Sequence, residues 1–258
     1  MGVKQLFDLT GRVAIVTGGS RGLGLQMAEA LGEMGARIAI TARKKDELDE
    51  AVAHLKDLGI VAAPYPCDLG RRELVEPLAT AILEKFGKVD ILVNNAGANW
   101  AAPAEDMPLE AWDKQVNLNL TGAFLLSQLI AKRSMIPAGW GRIINLASVN
   151  GLQATDMRLL KNLGYVATKH AMVGVTRQLA AEWGVHGITV NAICPGFFPS
   201  KMTRATLESS GEFLRAGTPT GRLGGEEDLK GLTALLASEA SRHITGQAIA
   251  VDGGASVI

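Results

Sequence analysis

Apolar residues fall into two kinds of run along the chain, and the two kinds alternate. Arg12–Thr17, Arg37–Thr41, Ile60–Pro66, Val89–Val93, Gly141–Ala147, Ile188–Ile193 and Ala248–Val251 are short, apolar stretches, most of them rich in Val and Ile. Continuous runs of this kind predict strands covered on both faces, as in a parallel sheet. Between them, Leu25–Met34, Asp46–Leu58, Arg71–Phe86, Leu109–Met135, Asn162–Trp183 and Glu226–Leu236 carry apolar residues at helical spacing. Strand and helix in turn predict βαβ units, hence an α/β fold with a doubly wound parallel sheet of about seven strands. Residues 199–220 are rich in Gly, Pro, Ser and Thr and carry little strand signal. They read as a loop region. No linker, low-complexity tract or repeat divides the chain, so one domain over residues 1–258 is expected.

Composition narrows the class. The chain has 258 residues, 47% hydrophobic and 20% charged, enough to bury a large core. Its 26 basic and 26 acidic residues cancel, which leaves no electrostatic footprint for nucleic acid. Cys67 and Cys194 each end an apolar run and read as buried thiols, fitting a reducing compartment. Met1-Gly2-Val3-Lys4-Gln5 opens no apolar leader, and no run reaches the ~18 apolar residues of a membrane span. A cytoplasmic protein without a metal site is the expectation.

Chemistry concentrates at strand ends. Gly18-Gly19-Ser20-Arg21-Gly22-Leu23-Gly24 stands between the first strand and the first long helix. Such a turn lets backbone N–H groups and a helix N-terminus face a pyrophosphate, which gives the sheet a Rossmann character. Its spacing is Gly-x₃-Gly-x-Gly rather than Gly-x-Gly-x-x-Gly. The second strand ends in Ala42-Arg43-Lys44-Lys45, with no acid to accept from a ribose 2′-OH. Arg43, with Arg21 from the glycine turn, suits a 2′-phosphate instead, so NADP(H) is expected over NAD(H). Asn94-Asn95-Ala96-Gly97 ends the fourth strand and Ser148 follows the fifth, where open α/β sheets bind ligands. Tyr165 and Lys169 stand four apart on a predicted helix and so share a face. A phenol near pKa ~10 becomes a usable acid/base when a cation lies close.

Thr17-Gly18-x₃-Gly22-x-Gly24, Asp68, Asn94-Asn95-Ala96-Gly97, Asn119, Ser148, Tyr165-x₃-Lys169 and Pro195-Gly196, in this order, resemble the short-chain dehydrogenase/reductase family over nearly the whole chain. Ile244-Thr245-Gly246-Gln247 and Val251-Asp252-Gly253-Gly254 are similar to its 3-oxoacyl-thioester reductases and its gluconate or polyol dehydrogenases. The resemblance implies a catalytic set of Asn119, Ser148, Tyr165 and Lys169. In that set Ser148 holds the substrate oxygen and Tyr165 exchanges its proton. Lys169 binds the nicotinamide ribose and lowers the Tyr165 pKa, and Asn119 holds a water on the proton path. It also implies cofactor contacts from Gly18, Ser20, Arg21, Gly22, Leu23 and Gly24, from Arg43, Asp68 and Leu69, and from Asn95, Ala96 and Gly97. Tyr165, Lys169, Pro195, Gly196 and Ser200 complete them. Asp68 is expected to meet the adenine, and Asn94 to help close the cleft.

The implied activity is interconversion of a ketone and a secondary alcohol, possible substrates being a 3-oxoacyl thioester or a sugar acid or polyol. A non-catalytic dinucleotide-binding regulator is the other class, but it needs none of the four catalytic residues. Ser148 and Tyr165 lie seventeen positions apart, several more than the family pattern, so residues 151–163 should shape the pocket. That segment and 199–220 are expected to be mobile walls of a substrate pocket. Trp100, Met157, Leu160, Phe197 and Met202 are apolar candidates for it. Arg158, Lys161, Arg204 and Arg215 are candidates for a substrate carboxylate. Ser200 stands where the family commonly has Thr and keeps the hydroxyl. Helices apolar on more than one side, Leu109–Met135 and Asn162–Trp183, point to a homotetramer.

Overall fold

The computed structural model describes residues 1–156 and 158–258; the candidate Met157 lies outside them. Every predicted strand forms: β1 (Val13–Thr17), β2 (Arg37–Ala42), β3 (Ala62–Pro66), β4 (Ile91–Asn94), β5 (Gly141–Leu146), β6 (Ile188–Pro195) and β7 (Ala248–Val251). All pair in parallel, in the order β3-β2-β1-β4-β5-β6-β7. The helices are α1 (Val3–Leu6), α2 (Gly22–Glu33), α3 (Lys45–Asp57), α4 (Val75–Phe86), α5 (Leu109–Val116), α6 (Ala123–Ile130), α7 (Ile136–Ala138), α8 (Leu163–Trp183), α9 (Arg204–Ala216) and α10 (Lys230–Ala237).

β1 shows why its run is apolar throughout. Ala14 and Val16 join a cluster that holds Met27 and Leu31 of α2, Leu55 of α3 and Leu236 of α10. Val13 and Ile15 point the other way, into a cluster with Ile82 of α4, Leu126 of α6 and Leu179 of α8. A strand with helices on both faces has no solvent side, so no position can be polar at low cost. Burying one such side chain stabilises by roughly 1.5–3 kcal/mol before chain entropy is set against it.

Several elements differ from the sequence expectation; α10, expected from Glu226, starts at Lys230, and α4, expected from Arg71, at Val75. α2 begins at Gly22, three residues before Leu25, so Gly22 and Gly24 sit in its first turn. The predicted helix over Leu109–Met135 is broken by π-helical turns at Asn117–Gly122 and Ala131–Met135. At Gly122 a Cβ would stand 2.2 Å from the Leu69 carbonyl, so the helix passes the loop after β3 at backbone contact distance. Within 199–220 the chain forms α9 instead of a loop. Leu207, Gly211 and Leu214 recur at helical spacing along it, and Gly211 and Leu214 are buried. Ser209, Ser210 and Gly211, read as turn formers, hid that spacing.

Strand order reverses between β1 and β4, which opens a crevice at their C-terminal ends. A small polar cluster ties the two ends together. Thr17 Oγ1 accepts from the backbone N–H groups of Asn95 (2.9 Å) and Ala96 (3.0 Å) and donates to the Val93 carbonyl (3.2 Å). The Asn95 carboxamide donates to the carbonyls of Thr17 (2.7 Å) and Gly18 (3.0 Å). Thr17→Val keeps the shape but leaves the two N–H groups without that acceptor. It should cost about 2–4 kcal/mol, read as a lower urea midpoint with an unchanged transition slope. A loss below about 0.5 kcal/mol would show that water replaces the hydroxyl.

Candidate active site

A cleft of about 590 Å³ runs along the C-terminal ends of the strands. All the expected cofactor contacts line it, as do Ser148, Tyr165 and Lys169. Asn119 does not.

The glycine turn fits a pyrophosphate. Gly18 and Gly22 have φ of +63° and +53°, a region costly for any residue with a Cβ. A Cβ on Gly24 would stand 2.2 Å from the Gly18 carbonyl, so the first turn of α2 can lie this close to the glycine turn only with a glycine there. Arg21, the N-cap of α2, makes no side-chain cap, so no side chain at that position claims the first-turn N–H groups. The N–H groups of Gly18 and Gly19 both donate to the Thr41 carbonyl, at 2.7 and 3.3 Å, which draws the end of β2 against the turn. Ala42, Arg43 and Lys44 therefore line the same cleft. Among the described residues Arg43 makes no ion pair. Arg21 does: its Nη1 lies 2.7 Å from Glu47 Oε1, which Lys44 Nζ also approaches at 3.1 Å. Asp68 accepts from the Gly70 N–H through Oδ1 at 3.0 Å.

The other end of the cleft carries the catalytic candidates. α8 presents Tyr165, half-buried, and Lys169, buried, with Nζ 5.4 Å from the centre of the Tyr165 ring. Lys169 Nζ donates to the Leu146 carbonyl of β5 at 2.5 Å. Ser148 follows β5, and its Oγ accepts from the Asn150 N–H at 3.1 Å. A Cβ on Gly151 would stand 2.7 Å from the Lys169 carbonyl, so a glycine there lets the turn after Ser148 lie against α8.

Burial decides the protonation of this group. It pushes the Lys169 ammonium down to about 8. It raises the Tyr165 phenol, against an opposing hydrogen bond from Ser148, with nearby Cys194 raising it further. The lowered Tyr165 pKa expected from Lys169 is absent: desolvation is the largest influence on the phenol, and the Ser148 hydrogen bond is the one that opposes it. Cys67 and Cys194 are free thiols, each pushed up to about 11 mainly by burial.

Two asparagines hold the site from behind. Asn119 Oδ1 accepts from the Ala98 N–H at 2.7 Å. Its Nδ2 donates to the Ala98 carbonyl at 2.9 Å and to Thr168 Oγ1 at 3.0 Å. Thr168 Oγ1 in turn donates to the Tyr165 carbonyl at 2.9 Å. The Asn119 carboxamide thus clamps the loop after β4 to α8 and is not turned to the cleft. Asn94 is buried, donating to Ser127 Oγ and Asn145 Oδ1 at 2.9 Å each; it closes the core and not the cleft.

The expected substrate walls are drawn differently. None of the described residues of 151–163 lines the cleft; Ser200, Lys201, Met202 and Thr203 do. The 151–163 segment meets α9 instead, with the Arg158 guanidinium 5.0 Å from the Phe213 ring centre. Arg158, Lys161, Arg204 and Arg215 do not line the cleft. Arg158 is held by Asp156 and Arg204 by Glu208, at 2.6 and 3.4 Å. Of the apolar candidates Met202 lines it, while Trp100, Leu160 and Phe197 do not. Sequence reasoning did not individually assign Glu47, Asn99, Leu118, Phe198, Lys201 or Thr203 to the wall. Glu47 was legible as the i+3 partner of Lys44, and Lys201 and Thr203 as neighbours of Ser200.

The family model described as "Enoyl-(Acyl carrier protein) reductase" matches residues 18–256. The chain is 39% identical to a rhamnolipids biosynthesis 3-oxoacyl-[acyl-carrier-protein] reductase of Pseudomonas aeruginosa, over 96% of this chain and 97% of the relative. It is 37% identical to an NAD-dependent glycerol dehydrogenase of Listeria innocua, over 99% and 98%. The crystal structure of a gluconate 5-dehydrogenase from Burkholderia cenocepacia in complex with NADP and tartrate superposes with a TM-score of 0.93, at 34% identity and 100% of both chains.

The buried Lys169 gives a pH test. Its pKa is about 8 in the folded protein and ~10.4 unfolded, so between those values only the unfolded chain keeps the proton. Lys169 therefore adds stability as pH rises through that window, and its full penalty stands below pH ~8. The melting temperature of the unliganded protein, taken relative to Lys169→Met, should climb from pH 8 to pH 10. Parallel curves would mean that Lys169 is not desolvated.

Proposed function

The chain belongs to the short-chain dehydrogenase/reductase family, and on that premise we propose that it is an NADP(H)-dependent oxidoreductase interconverting a ketone and a secondary alcohol. The family binds NAD(P). The observation that carries the reading is the convergence of Ser148, Tyr165 and Lys169 on one end of a cleft whose other end is the glycine turn. A nicotinamide cofactor supplies or accepts the hydride when bound. Ser148 Oγ–H donates to the substrate oxygen and steadies the charge that gathers there. Tyr165 passes its phenolic proton to that oxygen in reduction and takes it back in oxidation. Lys169, fixed on the Leu146 carbonyl, keeps a cation beside the phenol and stabilises the phenolate that proton transfer leaves. Asn119 is a positioning residue, holding α8 through Thr168.

NADP(H) preference is supported by Arg43, which lines the cleft and has no competing ion pair among the described residues; Arg21 and Lys44 line the cleft too, both paired with Glu47. A substrate with an apolar body, such as a 3-oxoacyl thioester, is supported by Met202 on the cleft wall and by the four basic candidates that do not line it. A sugar acid is the second reading; Lys201, which does line the cleft, favours it. Among the described residues no helix is long and apolar enough to cross a membrane. The two free thiols fit a reducing, cytoplasmic setting.

Tyr165→Phe should lower turnover of NADPH with a panel of 3-oxo thioesters and hydroxy-ketones at least a hundredfold, followed at the nicotinamide absorbance. Cofactor affinity should stay within about threefold, since only a hydroxyl is removed. Near-normal turnover would remove the phenol from the reaction.

The homotetramer reading is supported by apolar side chains left exposed on α5 and α6, Leu109 and Phe124. Light scattering at micromolar concentration should return about four times the 27.2 kDa chain mass. A stable monomer contradicts it.

A further inference from the structure

The end of β2 offers no acid, yet a carboxylate lines that part of the cleft. Glu47 sits in the first turn of α3, where helix dipoles favour negative charge. Its side chain is mostly shielded and is turned back to Arg21, the N-cap of α2, and to Lys44. Hydrogen bonding to Lys44 is the largest influence holding its pKa below the usual carboxylate range, so it is ionised at neutral pH. The pair with Arg21 joins the N-terminal ends of α2 and α3 across the residues that follow β2.

That arrangement has two opposite consequences for a ribose held there. A 2′-phosphate needs Arg21 and Lys44 as donors, and Glu47 both occupies them and repels the phosphate charge. A free 2′-OH needs an acceptor, and an ionised carboxylate already anchored by two cations is one. We propose that Glu47 is the residue that sets cofactor discrimination in this site, holding Arg21 away from a 2′-phosphate and serving as the acceptor for a ribose 2′-OH. Arg43, outside the pair, remains the standing phosphate ligand. The site then takes both nucleotides, with Glu47 narrowing the preference for the phosphorylated one. This inference rests on the reading of the cleft as a dinucleotide site.

The test is binding, measured by calorimetry with adenosine 2′,5′-bisphosphate and with adenosine 5′-monophosphate, so that no turnover is needed. Glu47→Gln should bind the bisphosphate about fivefold more tightly, as expected for release of an exposed ion pair and of one like charge. It should bind the monophosphate equally or more weakly. In Arg21→Gln the same Glu47→Gln change should yield under half of that gain, because there is then no Arg21 to release. If wild-type protein binds both probes and Glu47→Gln leaves their affinity ratio within 1.5-fold, the pair is an ordinary surface contact and the assignment is wrong. If wild-type protein binds neither probe, the dinucleotide reading fails, and the assignment with it.

Discussion

The structure depends on how two strand ends are held apart and yet tied together. A parallel sheet that reverses its winding direction between β1 and β4 has a gap at their C-terminal ends, and a gap at a sheet end exposes backbone polar groups. Thr17 and Asn95 satisfy those groups with side-chain atoms, so the opening keeps its shape without backbone pairing. Asn95 Nδ2 also leaves no room for a Cβ on Gly18 or Gly24. The glycine turn, the start of α2 and the loop carrying Ala96 and Gly97 are thereby fixed by one cluster. A tight turn at one wall of the cleft is matched to a tight turn at the other.

The chemistry at the far end is built on a buried ammonium. Taking Lys169 out of water costs free energy, and the carbonyl of Leu146 offsets only part of it, which is why its pKa falls. The rigid backing of α8 keeps that cation in place. Asn119 and Thr168 pin the turn that carries Tyr165, and the Asn117–Gly122 π turn gives Asn119 its position against Ala98. Interruptions of this sort in a long helix often accompany functional sites, since one extra residue per turn re-aims a side chain. Here the re-aimed side chain is a clamp between the loop after β4 and the turn of α8 that carries Tyr165.

Much of this was legible in the chain. Continuous apolar runs gave every strand, because a strand buried on both faces cannot hide its composition. The glycine turn, Asn95, Ser148 and the Tyr165–Lys169 pair were legible because each sits at a strand end or shares one helix face. Their convergence follows from the parallel sheet, which brings all strand C-termini to one side. α9 was hidden, since its serines and glycine resemble a loop until Leu207, Gly211 and Leu214 are seen to face the body of the protein. The basic residues proposed for a carboxylate could not be placed from spacing. Arg158 is taken by Asp156, two residues away, and Arg204 by Glu208, four away.

The amino-acid sequence by itself determined the layer order of sheet and helices, the phosphate-sized turn and the identity of the polar groups at the strand ends. These are local properties: periodicity, the freedom of glycine, and the i to i+4 face of a helix. Tertiary structure alone decided what those groups are free to do. Whether Asn119 faces water or Ala98, and whether Arg21 is open or held by Glu47, depends on residues twenty or more positions apart. Burial, set by the whole fold, likewise raises the Tyr165 phenol. Distance, burial and competition for partners set those outcomes, and none of the three is written in the spacing of a single chain segment.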